Sequence, residues 1–133
     1  MNFKGMKKLC LILLLIAFCA CSSNREDEQL IEQVVLSFYK SIDKKDYKNL
    51  EELLSPNMRY ELSELKNYSN EMTSYTSVNV SSINIVGEKA VVSVTATDEF
   101  GNTVMYSRNL IKINGKWFMN DYNALKAGSP STK

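Results

Sequence analysis

The segment from Arg108 to Asp121 reads RNLIKINGKWFMND, and the turn at its centre decides the fold. Asn114 and Gly115 both tolerate the positive φ of a type I′ turn, so they predict a two-residue hairpin between antiparallel strands. In such a hairpin Ile113 pairs with Lys116, and further pairs follow outward along both strands. The turn therefore predicts which side chains share each face of the sheet.

One face of this hairpin carries a predicted ion pair. Counting outward places Arg108 opposite Asp121, and directly opposed residues share a face, so the two are expected to form a cross-strand ion pair. Tyr106 and Trp117 lie on the same face. The alternative is a structural, partly exposed salt bridge worth ~0 to 1 kcal/mol.

The opposite face of the hairpin is also apolar, with Ile111, Ile113 and Phe118. A sheet that packs helices on one face is expected to be polar on the other. These three residues therefore predict an interface with a protein partner or with a second copy in a homodimer. Cover by the C-terminal tail or by the helices is the alternative.

Upstream of the hairpin, the residue pattern predicts helices followed by strands. Apolar residues recur at helical spacing from Glu26 to Ile42, and Asn24 is a plausible cap. Asp46 caps a short second helix, and Ser55-Pro56 starts a third at about Asn57–Asn70. The predicted strands are 78–85, with a bulge at Ser81-Ser82, then 90–97, 103–113 and 116–122.

This order predicts an α+β fold, in which three N-terminal helices pack on one face of a bent four-stranded antiparallel sheet. The predicted domain covers residues 28–122, and residues 123–133 form a flexible tail.

The N-terminus has the pattern of a secretory signal. Lys4, Lys7 and Lys8 precede a short apolar run, which ends in Phe18-Cys19-Ala20-Cys21. This ending resembles a bacterial lipobox and predicts a signal peptide at 1–20, cleavage before Cys21 and a short tether at 21–27. The resemblance implies a diacylglyceryl thioether on Cys21, usually with N-acylation. An ordinary signal peptide is the alternative.

The lipid would anchor the domain to a membrane of the cell envelope, and two or more acyl chains give stable anchoring. Ser22 is not the aspartate that favours inner-membrane retention, which indicates the outer membrane if the host is Gram-negative.

Composition excludes several kinds of chemistry. The chain has no histidine, which removes histidine bases and nearly all zinc or copper sites. Only one of its three cysteines remains after the predicted cleavage, and no glycine-rich phosphate loop occurs. Basic and acidic residues number 16 and 15 without strong clustering, so a nucleic-acid partner is not expected. No metal site and no cofactor is predicted.

Two stretches together resemble a known superfamily. They are Phe38-Tyr39-Lys40-Ser41-Ile42, with Asp46-Tyr47 and Leu53-Leu54-Ser55-Pro56 after it, and Asn114-Gly115-Lys116-Trp117-Phe118-Met119. They are similar to small lipoproteins of the nuclear-transport-factor-2-like superfamily, in a branch of unknown function, over about Glu28 to Asp121. The resemblance implies a cone of bent sheet around the first helix, which often holds a pocket and often dimerises. If the hairpin face with Trp117 lines that cone, the resemblance makes Tyr106, Arg108, Asp121 and Trp117 the candidate pocket. Its members include isomerases, dehydratases and binding modules, so the fold leaves the function open.

Three functions remain open at this stage. The leading hypothesis is a membrane-anchored, non-catalytic domain that binds a small ligand or a protein partner. The second is a small isomerase or hydro-lyase with a tyrosine and an acid in its pocket. The third is a structural or assembly accessory that acts as a dimer. Whether the protein is an enzyme is uncertain, and the missing catalytic residue types favour a non-enzyme.

Overall fold

The computed structural model describes residues 3–65 and 75–125, with side chains at residues 24–63 and 75–125. The chain divides into two compact units, Met1–Leu30 and Ile31–Lys133. Of the helices in the described ranges, none is both long enough and apolar enough to cross a membrane.

Helix α1 covers Phe3–Lys44 and therefore begins upstream of the start predicted at Glu26. The predicted cap at Asn24 is wrong in this structure, because Asn24 lies inside the helix. The reason is that no glycine or proline interrupts the sequence between Gly5 and Lys44, so a cap signal alone does not stop the helix. From Ile31 onward α1 buries the predicted stripe, which comprises Ile31, Val35, Phe38, Tyr39 and Ile42.

Helix α1 ends in two hydrogen bonds that reverse the chain. The amide of Asp46 donates to the carbonyl of Ser41 (2.9 Å), and the amide of Lys45 donates to the carbonyl of Ile42 (3.1 Å). This is the Schellman pattern, which places the residue after the helix in the left-handed region. Lys45 occupies that position with a φ of 53°.

Helix α2, Tyr47–Leu53, begins as predicted, because the Asp46 carboxylate accepts the amide of Asn49 at 3.2 Å. Helix α3, Pro56–Leu65, starts at the predicted proline and buries Met58 and Leu62. The remainder of the predicted third helix, and Tyr68 with it, lies outside the described residues.

The four predicted strands form one antiparallel sheet in the order β1-β2-β3-β4. Strand β1 covers Tyr75–Val86, β2 covers Lys89–Asp98, β3 covers Thr103–Ile113 and β4 covers Lys116–Met119. The register between β1 and β2 shifts between Val80 and Ser82, which confirms the predicted bulge. Three helices on one antiparallel sheet is the fold class that the sequence predicted, and it is consistent with the nuclear-transport-factor-2-like resemblance.

The hairpin register confirms the two predicted faces. Ile113 pairs with Lys116, Lys112 with Trp117 and Leu110 with Met119. The inner face of the sheet is buried in one hydrophobic core with α1, α2 and α3. Its buried members from β2, β3 and β4 are Ala90, Val92, Val94, Ala96, Tyr106, Leu110, Trp117 and Met119.

The C-terminal end of the sheet differs from the prediction in two ways. Strand β4 ends at Met119 instead of continuing to Tyr122, and a 3-10 helix follows at Tyr122–Leu125. Ala124 and Leu125 of that helix are buried in the core, so the ordered domain extends past the predicted boundary at residue 122. Burial of these apolar side chains stabilises the folded chain by more than the conformational entropy that a flexible tail would retain. Residues 126–133 lie outside the described residues.

The link between α2 and α3 packs along β4. Leu54 forms an isolated parallel bridge with Met119, and the amide of Ser55 donates to the carbonyl of Met119 at 2.9 Å. The Ser55 hydroxyl donates to Oδ1 of Asn120 at 2.8 Å. This serine therefore ties the start of α3 to the chain just after β4.

The strained end of α1 gives a prediction of stability. Lys45→Gly should stabilise the protein by about 0.5 to 1 kcal/mol, because glycine adopts the left-handed conformation without a Cβ clash. The same change at the exposed Lys40 inside α1 should destabilise it by about 1 kcal/mol. Guanidinium unfolding of the full-length protein in non-ionic detergent, followed by the fluorescence of the single tryptophan, measures both. Equal losses for the two variants would contradict the Schellman end.

Candidate functional site

A buried arginine lies at the centre of the candidate site. Arg108 projects from β3 on the inner face of the sheet and is 2% exposed. Its Nε donates to the hydroxyl of Tyr39 on α1 at 2.8 Å, and its guanidinium carbon lies 4.6 Å from the centroid of the Tyr106 ring. Its Nη1 is buried and has no hydrogen-bond partner among the residues that the structure describes.

Three tyrosines surround this arginine and contact one another edge to face. The ring centroids of Tyr39 and Tyr75 are 5.5 Å apart, and those of Tyr75 and Tyr106 are 6.2 Å apart. The Tyr75 hydroxyl donates to the Tyr106 hydroxyl at 3.3 Å. Tyr39 and Tyr106 are buried and Tyr75 is partly exposed, so the cluster reaches the surface at Tyr75. We call Tyr39, Tyr75, Tyr106 and Arg108 the tyrosine–arginine cluster.

Burial raises the pKa of two of the three tyrosines, Tyr39 and Tyr75. The pKa of Tyr39 is raised chiefly by desolvation, while the nearby charge of Arg108 and its hydrogen bond act in the opposite direction. Desolvation also raises the pKa of Tyr75, and its hydrogen bond to Tyr106 adds to the increase. At neutral pH these hydroxyls are therefore hydrogen-bond donors and acceptors without charge.

The predicted ion pair between Arg108 and Asp121 is wrong. The Asp121 carboxylate instead accepts the amides of Asn109 and Asn123, each at 3.1 Å. The physical reason is that β4 ends two residues earlier, so the chain turns at Asp121 and presents backbone amides that compete for the carboxylate. Asp121 still lies close enough to the cluster for its charge to raise the pKa of Tyr39 slightly.

Trp117 lies on the predicted face but farther along the sheet. It pairs with Lys112, whose Nζ is 5.7 Å from the tryptophan ring centroid, and it is buried in the core. Of the four residues in the candidate pocket, Tyr106 and Arg108 are in direct contact.

The candidate interface residues lie together on the outer face, as predicted. Ile111 pairs with Phe118, and Ile111, Ile113 and Phe118 are all partly exposed. Nζ of Lys116 is 5.3 Å from the centroid of the Phe118 ring and covers part of it. Other apolar side chains of the sheet are more exposed, Met105 and Val91 among them. The homodimer stays a prediction.

Sequence reasoning missed Tyr39 and Tyr75 as site residues. The helical spacing places Tyr39 in the buried stripe of α1, and Tyr75 precedes the predicted start of β1. One signal was present, because a tyrosine in a buried helical stripe needs a partner for its hydroxyl. That partner, Arg108, is 69 residues away along the chain.

The described residues hold no group of three or more histidine, cysteine, aspartate or glutamate side chains that could bind a metal ion. Asp98 illustrates how the acidic residues are used instead. Its carboxylate accepts the amides of Asn102 and Phe100 within the β2–β3 loop, and these bonds, with the Asn102 backbone foremost, lower its pKa.

Comparison with known proteins gives a fold and no activity. No family model matches the sequence, and no curated protein sequence matches it. The structure is similar to a SEC-C motif-containing protein from Rhodopseudomonas palustris, with a TM-score of 0.53 and 17% identity over 66% of this chain and 73% of that one. It is also similar to a conserved protein from Planctomyces limnophilus, with a TM-score of 0.52 and 16% identity over 71% of this chain and 91% of that one.

A third match is a putative NTF2-like transpeptidase from Campylobacter jejuni, with a TM-score of 0.47 and 14% identity over 70% of this chain and 95% of that one. At these identities the first two structures share the fold of this chain, and their similarity extends to nothing more specific.

The unpaired Nη1 of Arg108 gives a prediction that separates a structural role of this residue from a functional one. The double variant Arg108→Met with Tyr39→Phe should be as stable as the wild type or more stable, because it removes a desolvated cation together with its partner. Arg108→Met alone should be less stable than the double variant, because it leaves the Tyr39 hydroxyl without its donor.

Guanidinium unfolding in detergent again gives the measurement. Arg59→Met, at an exposed position on α3, is the matched control and should change the free energy of unfolding by no more than about 0.5 kcal/mol. A loss above about 2 kcal/mol in the double variant would show that Arg108 holds the core together.

Proposed function

We propose that this protein is a cell-envelope lipoprotein, anchored through lipid on Cys21, whose domain binds a small ligand without turning it over. The basic N-terminus, the short apolar run and Ala20-Cys21 support the anchor. Ser22 supports the outer membrane if the host has one. The helix order and the single antiparallel sheet support a nuclear-transport-factor-2-like domain.

The observation that carries the binding function is the unpaired Nη1 of Arg108. A cation taken out of water costs several kcal/mol unless charges or hydrogen bonds compensate it. Most buried polar groups in native structures have partners, and exceptions concentrate at functional sites. A ligand that bonds to Nη1 would supply the missing partner.

Two observations favour binding over catalysis. The chain has no histidine, and burial raises the pKa of Tyr39 and of Tyr75, so both hold their protons more tightly than usual. The isomerase alternative also needs a carboxyl group poised as an acid or base. The carboxylate of Asp121 already accepts two backbone amides, so it is held in place as a structural acceptor. The dimeric accessory function rests only on the partly exposed outer face.

The anchor is tested by the mass of the native protein from its host membrane. We expect an N-terminal peptide that begins at Cys21 and carries a diacylglyceryl group. Cys21→Ser should leave an unprocessed precursor without lipid, whereas Cys19→Ser should be processed and lipidated like the wild type. A mature N-terminus with unmodified Cys21, or one at another residue, would contradict the proposal.

The binding function is tested by the small molecules that accompany the protein. Full-length protein extracted from its membrane should carry a compound that organic solvent releases and mass spectrometry identifies. The Arg59→Gln protein should carry the same compound, and the Arg108→Met, Tyr39→Phe protein should not. Incubation of the purified compound with the protein should return it unchanged. Its conversion by the wild type would establish an enzyme, and equal loading of all three proteins would remove the cluster as the site.

A further inference from the structure

The polar atoms of the tyrosine–arginine cluster have more hydrogen-bond donors than acceptors to receive them. The Tyr39 hydroxyl accepts from Arg108, and the Tyr106 hydroxyl accepts from Tyr75, so each keeps its own proton for another acceptor. Nη1 of Arg108 adds two N–H groups and accepts nothing. A ligand that satisfies this set must therefore present acceptor oxygens.

The charge of the site sets the charge of that ligand. On the inner face of the described sheet, the side chains of β2 from Ala90 to Ala96 and of β3 from Val104 to Leu110 include one charged group, Arg108. The carboxylate of Asp121, which lies beyond β4, accepts the amides of Asn109 and Asn123 and leaves Nη1 of Arg108 without a partner. A monoanion at Nη1 would pair directly with this cation. An inorganic phosphate, which carries roughly −1.5 to −2 at pH 7, would leave an excess negative charge in a desolvated place.

The surroundings of the cluster set the character of the rest of the ligand. Val92 and Val94 of β2 and Phe38 of α1 are fully buried in the same core. Val94 lies beside Tyr106 in the sheet register, and Val92 lies beside Arg108. An apolar ligand body in contact with these side chains gains about 25 cal/mol of binding free energy for each Å² of apolar surface removed from water. A polar ligand body would lose its hydrogen bonds to water and gain none from these side chains.

From these three observations we infer that the ligand is a monocarboxylate with an apolar body, whose carboxylate bonds to Nη1 of Arg108 and to the hydroxyls of Tyr39 and Tyr106. The planar guanidinium matches a carboxylate, and charge-assisted hydrogen bonds are about twice as strong as neutral ones. Tyr75, partly exposed at the edge of the cluster, is the point of entry. This inference rests on the proposed binding function.

The test uses full-length protein in non-ionic detergent, with octanoate, benzoate, octanol and inorganic phosphate as probes. Calorimetric titration should show octanoate or benzoate binding at least tenfold more tightly than octanol at pH 7. Arg108→Gln should reduce carboxylate affinity at least tenfold, and Arg59→Gln, the same change at an exposed site, should leave it unchanged. In the wild type, the NMR signal of the Arg108 Nε–H group should move as the carboxylate is added.

Each other outcome is decisive. Octanol binding as tightly as octanoate, or phosphate binding in place of the carboxylates, would overturn the monocarboxylate inference and leave a binding domain in place. Carboxylate binding that Arg108→Gln does not change would also overturn it. If none of the probes binds, the monocarboxylate inference is overturned and the proposed binding function is not. The binding function is tested independently by the compound recovered from membrane-extracted protein.

Discussion

The turn at Asn114 and Gly115 fixes the two faces of the sheet, and both core and candidate site depend on that choice. The two residues hold φ angles of 51° and 78°, which match the twist of the flanking strands. A slip of one residue between β3 and β4 would exchange the inward and outward side chains of β4. Trp117 would then leave the core.

The bond from Arg108 to Tyr39 joins this sheet to α1 inside an otherwise apolar interior. Its two ends are 69 residues apart, so it forms only when the helix and β3 have met. The arginine gains one hydrogen bond and a ring contact there, and it loses the hydration of a full charge. Because of that imbalance, a central position in the domain does not by itself make this residue a source of stability.

The patterns with a short period were predictable, and the contacts that join distant segments were not. Alternation along β3, the NG turn and the stripe of α1 gave the sheet, its register and the helix layer. The partner of Asp121 could not be read from register, because it depends on where β4 ends and which amides are then left without partners. Tyr39 and Tyr75 could not be predicted as site residues for a related reason, since only the folded chain brings α1 and the start of β1 to Arg108. The burial of Leu125 likewise could not be predicted from the residues near it in the sequence, because it depends on a space in the folded core.

The pairing of Leu54 and Ser55 with Met119 has a consequence for self-association. An uncovered strand at the border of a sheet is a template for another chain, and aggregation follows when both borders are available. Here β4 is short and part of its border is occupied by the link between α2 and α3. Of the two border strands in the described sheet, β1 is the longer, and it is the one that strand-to-strand pairing between copies would use. Such pairing is isologous and stops at two chains, so the fold permits a closed dimer while opposing growth into a fibre.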